Sequence, residues 1–419
     1  MKLDLNFKCN IDIADYKLNY LTKVFYILIP EILSAFVSQI IKQHANELMK
    51  RADGLPFGCT KCGHNHATWK TRCAKLKKII SLQGILKVPQ MQVKCKECGC
   101  CYYITGKMLG IDAYANTTTK IKEAFALIGS CCPYRVSAKI INLISGVQIS
   151  KSTIWNYVQV VGSRISFGID INESSEFQAD GTGIPIIGIK KRGQELKVMI
   201  QKCRHGGVQI VGLALGAYHS ISDWDKLFEP IIEDLKAMKN AILITDGDTS
   251  ILKGLKDLKI IIQRCLWHIP HQAKYTMWED KIKRKSEDWY EIMSKLYNII
   301  SVSYNGEEED VIKEIVKEKE SLLEKLLEFC LEKEYMKTYT YLFNAKPDLF
   351  NGILKKYNCK SQSLVERVMK TVNARINVGK WSNKGALNIL RIRLAHYYND
   401  FDVTFKSLNK KSLNIKIGD

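Results

Sequence analysis

Residues Ala241 to Ser250 read AILITDGDTS, a short apolar run that ends abruptly in Asp246 and Asp248 with a glycine between them. The stretch is either an ordinary strand-to-turn transition or a strand that ends in a carboxylate held for a metal ion. Its surroundings bear on the choice. Between residues 175 and 265 similar apolar, β-branched runs recur at Ile184 to Ile189, Leu196 to Ile200, Val208 to Leu215 and Ile260 to Ile262. An amphipathic helix is expected from Trp224 to Met238. Three antiparallel strands, a helix, a strand, a short helix and a last strand make an α/β unit, a mixed five-stranded sheet with helices on its faces.

A second acid belongs to the same pattern. The stretch FQADGTGIP (Phe177 to Pro185) places Asp180 at the end of, or within, the first strand, with Gly181 and Gly183 expected to leave space around it. If the first and fourth strands are neighbours, the Asp180 and Asp246 carboxylates meet at one edge. Both are ionised at neutral pH, and side by side they repel. A bound Mg²⁺ or Mn²⁺ relieves that repulsion. Two such ions clamp the attacking and leaving oxygens of an in-line phosphodiester displacement. Asp-Gly also favours turns by itself, which is the plainer account of either acid taken singly. Asp248, beyond Gly247, competes with Asp246 for the metal-holding role, but it also suits the cap of a helix starting at Ser250, and Asp246 is preferred.

Charge points to the same class of substrate. The 419 residues carry 63 basic and 43 acidic side chains, a net charge of +20. A surplus of that size favours a polyanion such as nucleic acid, although a lysine-rich host would produce it too. The most apolar N-terminal stretch, Val24 to Ile41, is interrupted by Pro30, Glu31 and Gln39. It lacks a signal-peptide layout and reads as an amphipathic helix or helix pair, not as a membrane span. A cytoplasmic, reducing setting follows as the expectation, and there the fourteen cysteines argue for metal before disulfides.

CTKCG (Cys59, Cys62) and CKECG (Cys95, Cys98) are two Cys-x-x-Cys-Gly turns. Each aims two thiolates at one point, and together they supply the four sulfurs of a structural Zn²⁺ site with no open position. The residues between the pairs can hold a β-hairpin. His64, His66 and Cys73 are spare ligands, and the surrounding lysines make DNA contact plausible. Further on, YRVSAKIINLISGVQISKSTIWNYV (Tyr134 to Val158) predicts a helix over Arg135 to Ile144 with Val136, Ile140 and Leu143 on one face. Ser145-Gly146 ends it. Ser150 or Ser152 then caps a second helix, in which Ile154, Val158 and Val161 recur. This is a helix-turn-helix layout, and Lys151, Ser152, Thr153, Asn156 and Gln159 would face DNA.

Residues 268–360 are mostly helical and Glu/Lys-rich, and their glutamates read as solvated partners of nearby lysines. The run Lys281 to Lys285 is either a phosphate contact or a solvated charged helix, and Arg264 and His271 are weaker phosphate candidates. Beyond them, Val365, Val368, Met369, Val372 and Ile376 form an apolar helical stripe with Glu366 at its border.

The order of QADGTGIP, LITDGD, QRCLWHIPHQ and SLVERVMKTVNARINVGKWSNKGALNILRIRLAHYY resembles the RNase H-like core of DDE transposases. The resemblance is to Mutator-like and related bacterial insertion-sequence transposases, and it covers roughly residues 55–400. It implies Asp180, Asp246 and Glu366 as the three catalytic, metal-holding acids. Cys265 and His268 match the family's Cys-x-x-His element and are expected to shape the site from behind or to contact the DNA end. It further implies cleavage and strand transfer at the ends of a mobile element, double-stranded DNA as partner, a dimer or higher oligomer, and no nucleotide cofactor or membrane. The expected segments are an N-terminal helical region (1–54), a zinc ribbon (55–110), a helix-turn-helix (111–168), the first part of the core (169–268), an all-helical insertion (269–360) and C-terminal core helices (361–419). Two other readings stay open: a DNA-binding protein that no longer cuts, and a nuclease without strand transfer.

Overall fold

The structure, a computed structural model, describes residues 14, 17–72, 75–111, 115–189, 193–255, 258–357 and 363–401. Cys73 and residues 402–419 lie outside them. The chain divides into two compact units, one up to Val161 and one from Gly162 to Phe401.

The first unit opens with a single helix, α1 (Leu18–Met49), where the sequence left a helix pair open. Pro30 sits inside it without dividing it, and Ser34 Oγ bonds the Pro30 carbonyl at 2.6 Å. The C-terminal half buries Ile41, Ala45 and Leu48. Ser34 Oγ also accepts from Lys87 N–H at 2.9 Å, which ties the helix to a strand. By length and composition α1 is apolar enough to cross a membrane.

Strands β1 (Ala67–Thr71), β2 (Leu76–Ser81), β3 (Gly84–Pro89), β4 (Gln92–Cys95) and β5 (Cys101–Tyr103) follow. β2 and β3 form an antiparallel hairpin, and β1, β4 and β5 form a sheet in that order. After the short α2 (Thr105–Met108), the helices α3 (Thr119–Cys131), α4 (Tyr134–Ser145) and α5 (Lys151–Gly162) build a small core around Phe125, Ile141, Val147 and Ile154. The buried face of α4 is not the expected one. Val136 and Leu143 are exposed, whereas Ser137, Ile141 and Ser145 are buried. Serines win this face because their hydroxyls return to backbone carbonyls, Ser137 to Pro133 and Ser145 to Ile141. In α5 the expected Ile154, Val158 and Val161 are buried. Its cap is Ser150, whose Oγ accepts from Thr153 N–H at 3.1 Å.

The second unit is built on a five-stranded mixed sheet of β6 (Glu176–Ile184), β7 (Gln194–Lys202), β8 (Val208–Gly216), β9 (Ile242–Thr245) and β10 (Ile261–Arg264), in the order β10-β9-β6-β7-β8. β6, β7 and β8 run antiparallel in succession, while β6–β9 and β9–β10 are parallel. Asp180 lies within the first strand, as expected, and that strand ends at Ile184, so the apolar run Ile184 to Ile189 mostly follows it. Two of its polar residues have partners: Glu176 binds Lys202 at 2.7 Å, and Gln178 caps a helix described below.

One sheet face packs Phe177, Ala179, Met199, Val211 and Leu243 against α6 (Ile221–Phe228), α7 (Ile232–Ala237) and α8 (Thr249–Gly254). The single helix expected from Trp224 to Met238 is two, because Pro230 lies in a 3-10 turn (Glu229–Ile231) between them. The helices α9 (His268–Glu279), α10 (Glu287–Ile300), α11 (Glu309–Glu332), α12 (Met336–Ala345) and α13 (Asn351–Leu354) enclose their own core around Ile292, Leu296, Leu323 and Leu326. Lys281 and Lys285 have positive φ, so their run is a connection and not a helix. On the surface of α11, Lys313 pairs with Glu309 at 2.7 Å. The last two helices are α14 (Leu364–Ile376) and α15 (Asn383–Tyr398).

The space beside Gly181 is not open. A Cβ there would stand 2.3 Å from Glu195 Oε1, so the glycine makes room for that carboxylate. Glu195 pairs with Lys197, whose side chain is fully buried, donates to the Ala217 carbonyl at 3.0 Å and lies over the Trp224 ring. Removing one partner of such a pair strands the other charge. Lys197→Ala is expected to lower unfolding free energy by roughly 3–5 kcal/mol in urea titration. The double variant Glu195→Leu/Lys197→Met is expected to recover most of the loss. A Lys197→Ala protein as stable as the parent would contradict this account.

Candidate functional site

In the first unit the two Cys-x-x-Cys turns face each other. Cys59 Sγ lies 3.6 Å from Cys98 Sγ, and Cys62 Sγ lies 3.6 Å from Cys95 Sγ. A tetrahedral zinc with Zn–S bonds of ~2.3 Å places its sulfurs about 3.8 Å apart, so the cluster fits that ion. Gly63 and Gly99 take φ of +76° and +66°. That conformation closes each turn, with the glycine N–H on the Cys59 or Cys95 carbonyl at 3.0 and 3.1 Å. The Lys61 and Cys62 N–H groups draw the Cys59 thiol down to about 6. At Cys62 the His64 N–H pulls the same way, but the crowded Cys98 and Cys95 thiols outweigh it and push the group up to about 12. Four thiols crowded this closely favour a cation that would neutralise their thiolates. The His64 and His66 rings lie 5.4 Å apart at a tilt of 48°, outside this four-sulfur group.

The second unit gathers the acids. The register of β6 on β9 runs Glu176↔Ile242 to Ala179↔Thr245. Continued by one residue, it sets Asp180 beside Asp246, and the alternation of strand side chains puts both on one face. That face is the one on which Gln178 meets α14. Gln178 Oε1 accepts from Leu364 N–H at 2.8 Å and Val365 N–H at 3.1 Å, which satisfies the open end of the helix and holds its first turn against β6. Glu366 lies in that turn. The sequence reading missed Gln178; its signal was a polar residue two positions before Asp180, and so on the same face.

β10 contributes from the other side of β9. Cys265 N–H bonds the Thr245 carbonyl at 2.8 Å, and His268 starts α9 one turn later. His268 Nε2 lies 3.3 Å from Glu366 Oε1. Asp180, His268 and Glu366 each offer a donor atom within 4.8 Å of the others, a spacing that can hold a metal ion. His268 thus stands among the acids, not behind them as expected.

Asp246 is close without being a member of this trio. Its Oδ1 accepts from Asp248 N–H at 2.9 Å and from the Thr245 hydroxyl at 3.3 Å. Asp248 caps α8 through Ser250 N–H at 2.8 Å and meets His219 at 3.0 Å. Arg264, considered above for phosphate contact, is turned inward. It donates to the Asp246 carbonyl at 3.0 Å and fills the place where a Cβ on Gly247 (φ +95°) would fall. His271 packs on the Trp267 ring.

Electrostatics record the crowding. Burial, and then the Asp246 carboxylate beside it, push Asp180 up to about 7. Burial draws His268 down, but contacts with Cys265 and Glu366 outweigh it and raise the imidazole to about 10. The same His268 contact holds Glu366 below the usual carboxylate range against a smaller opposing effect of burial. A carboxyl reluctant to ionise beside a second carboxylate is what a divalent cation would relieve.

Of the five proposed DNA contacts, Lys151, Ser152 and Asn156 are exposed on α5. Gln159 is half-buried, and the half-buried Thr153 hydroxyl shares a hydrogen bond with Ser150 at 2.9 Å. No protein-family model and no curated protein matches this chain.

Two outcomes are expected. The purified protein carries about one zinc per chain, and chelation or Cys59→Ser removes it and loosens the module. Unchanged far-UV circular dichroism and protease resistance without zinc would oppose this. Asp180 binds its proton more tightly folded (about 7) than unfolded (about 3.9), so its ionisation costs stability as pH rises from about 4 to 7. Without added Mg²⁺ or Mn²⁺, Asp180→Asn therefore stabilises the protein by roughly 2–4 kcal/mol at pH 8. The gain shrinks at pH 5 and vanishes below about pH 4. Thermal melts across that range check the sign.

Proposed function

We propose that this protein is a DDE-type transposase, whose five-stranded sheet is an RNase H-like core interrupted by the all-helical segment 269–360. The observation that carries the reading is the gathering of Asp180 and Glu366 from distant segments, with donor atoms within 4.8 Å of each other, and the Asp246 carboxylate close enough to act on Asp180. β6–β9 pairing supports Asp180 and Asp246, and the Gln178 cap of α14 supports Glu366.

Asp180, Asp246 and Glu366 would hold the divalent cations, Mg²⁺ or Mn²⁺. When bound, those ions supply charge neutralisation and in-line alignment for phosphodiester cleavage and for attack by the freed 3′-hydroxyl on target DNA. The chain contributes rigidity. Asp180 is fixed in a doubly paired strand, Glu366 in a capped helix turn, and the Asp246 loop by Arg264, so the charges that stabilise the transition state are set before substrate arrives.

The other modules grip DNA in this reading. α4, the turn at Gly146 and α5 act as a helix-turn-helix that presents Lys151, Ser152 and Asn156. Thr153 and Gln159, half-buried, line its flank. The four-cysteine module is a structural zinc ribbon. The net charge of +20 suits duplex DNA. Two element ends must be held together for transfer, so the active form is a dimer or higher oligomer. No nucleotide is consumed, and the protein works in the cytoplasm on the nucleoid. α1 belongs to the core of its unit through Ile41, Ala45, Leu48 and the Ser34 contact, which favours that role over a membrane anchor.

The test is an assay of the protein with Mg²⁺ or Mn²⁺ and DNA carrying the terminal repeats that flank its gene. Joined products are expected. Asp180→Ala, Asp246→Ala and Glu366→Ala should each lower cleavage at least about a thousandfold while DNA binding persists. Cuts without joining would leave a nuclease, and binding alone a DNA-binding protein. Full activity in one variant would remove that residue from the catalytic set.

A further inference from the structure

We propose that His268 is itself a metal ligand, so that Asp180, His268 and Glu366 form a carboxylate–imidazole–carboxylate site selective for a transition ion such as Mn²⁺ over Mg²⁺. The inference rests on the metal-dependent reading above and names a ligand and an ion class within it.

The geometry favours ligation over a purely orienting role. Ligand atoms of the three residues lie within 4.8 Å of one another, and the His268 Nε2 to Glu366 Oε1 distance is 3.3 Å. In an octahedral shell with bonds of about 2.1 Å, adjacent donors stand about 3 Å apart, so only small side-chain movements separate this arrangement from a coordinated one. Nε2 is the nitrogen that faces the carboxylates. Nδ1 is buried, the Cys265 side chain contacts the same imidazole, and the Trp267 ring meets it edge-on at 4.7 Å. The ring is therefore packed in place with one nitrogen directed at the acids.

Asp246 is less available for the same position. One of its oxygens is committed to Asp248 N–H and Thr245, within its own loop. It stands next to Asp180 and would serve a second ion or complete the shell of the first. Carboxylate and water ligands suit Mg²⁺, Ca²⁺ and Mn²⁺ alike, whereas an imidazole nitrogen shifts preference toward Mn²⁺ and later transition ions. The ion class thus follows from the donor set.

The experiment uses the full-length protein with its zinc retained and Mn²⁺ as the probe. Pulsed electron paramagnetic resonance of bound Mn²⁺ should show the coupling of a directly coordinated ¹⁴N. Growth with ¹⁵N-histidine should replace it by the ¹⁵N pattern in the unmodified sequence. His268→Gln keeps a side-chain amide able to donate to Glu366 but removes the ligand. It should abolish the coupling, weaken Mn²⁺ binding about tenfold or more, and change Mg²⁺ binding much less.

Mn²⁺ bound in an Asp180-dependent manner without histidine nitrogen coupling would overturn the proposal and leave the transposase reading intact. Coupling that persists in His268→Gln would overturn it as well. No Asp180-dependent Mn²⁺ binding at all would sink both. Nitrogen coupling in a protein that never cuts or joins DNA would uphold the ligand assignment and remove the transposase.

Discussion

Strand β6 is paired on both edges, antiparallel to β7 and parallel to β9, and most of the second unit takes its position from that strand. Its alternation sends Phe177 and Ala179 into the core beneath α6 and α7 and sends Gln178 and Asp180 to the opposite face. A slip of one residue would turn Asp180 toward the apolar core under α6 and move Phe177 out of it. Register on β6 is therefore enforced by hydrophobic burial on one face and used for charge on the other. The same strand carries the glycine that admits Glu195, so the buried Glu195–Lys197 pair adds a second lock on its alignment.

The acids are costly where they stand. Asp180 is driven toward its neutral form by burial and by Asp246, and His268 is driven toward its charged form by Cys265 and Glu366. A protein selected only for stability would not keep Asp180 here, because its carboxylate is desolvated beside a second acid and only partly compensated. The environment of the acids is instead stiffened from behind. Gln178 holds the α14 turn, Arg264 holds the Asp246 carbonyl, and Cys265 N–H holds Thr245. Crowded charge on rigid support suits a place prepared for a ligand.

Much of this was legible in the chain. Apolar, β-branched runs marked β7, β8, β9 and β10, and two Cys-x-x-Cys-Gly turns marked the four-sulfur cluster. Glycine after each second cysteine is legible because only a positive φ closes that turn. Asp180 was expected at the end of, or within, the first strand and lies within it, but the apolar run Ile184 to Ile189 mostly follows that strand, whose remaining residues Glu176, Gln178, Gly181 and Gly183 carry no apolar pattern. Val136 and Leu143 were assigned to the buried face of α4 because periodicity counts apolar side chains and cannot see Ser137 and Ser145 bonding carbonyls. Pro230 was readable as a helix break and divided the expected helix.

The sequence by itself determined the element types, the cysteine cluster and the strand-end position of Asp246, because these depend on residues within a few positions of each other. Only the tertiary structure decided that β6 and β9 are neighbours, that Gln178 caps α14 across 186 positions of chain, and that His268 stands among the acids. Those relations join segments far apart in the sequence, and no local pattern encodes a distance between them. AILITDGDTS shows the division at its smallest scale. Its own residues ended the strand at Asp246, but β6 and α14 supplied the charges that make that end a candidate metal site.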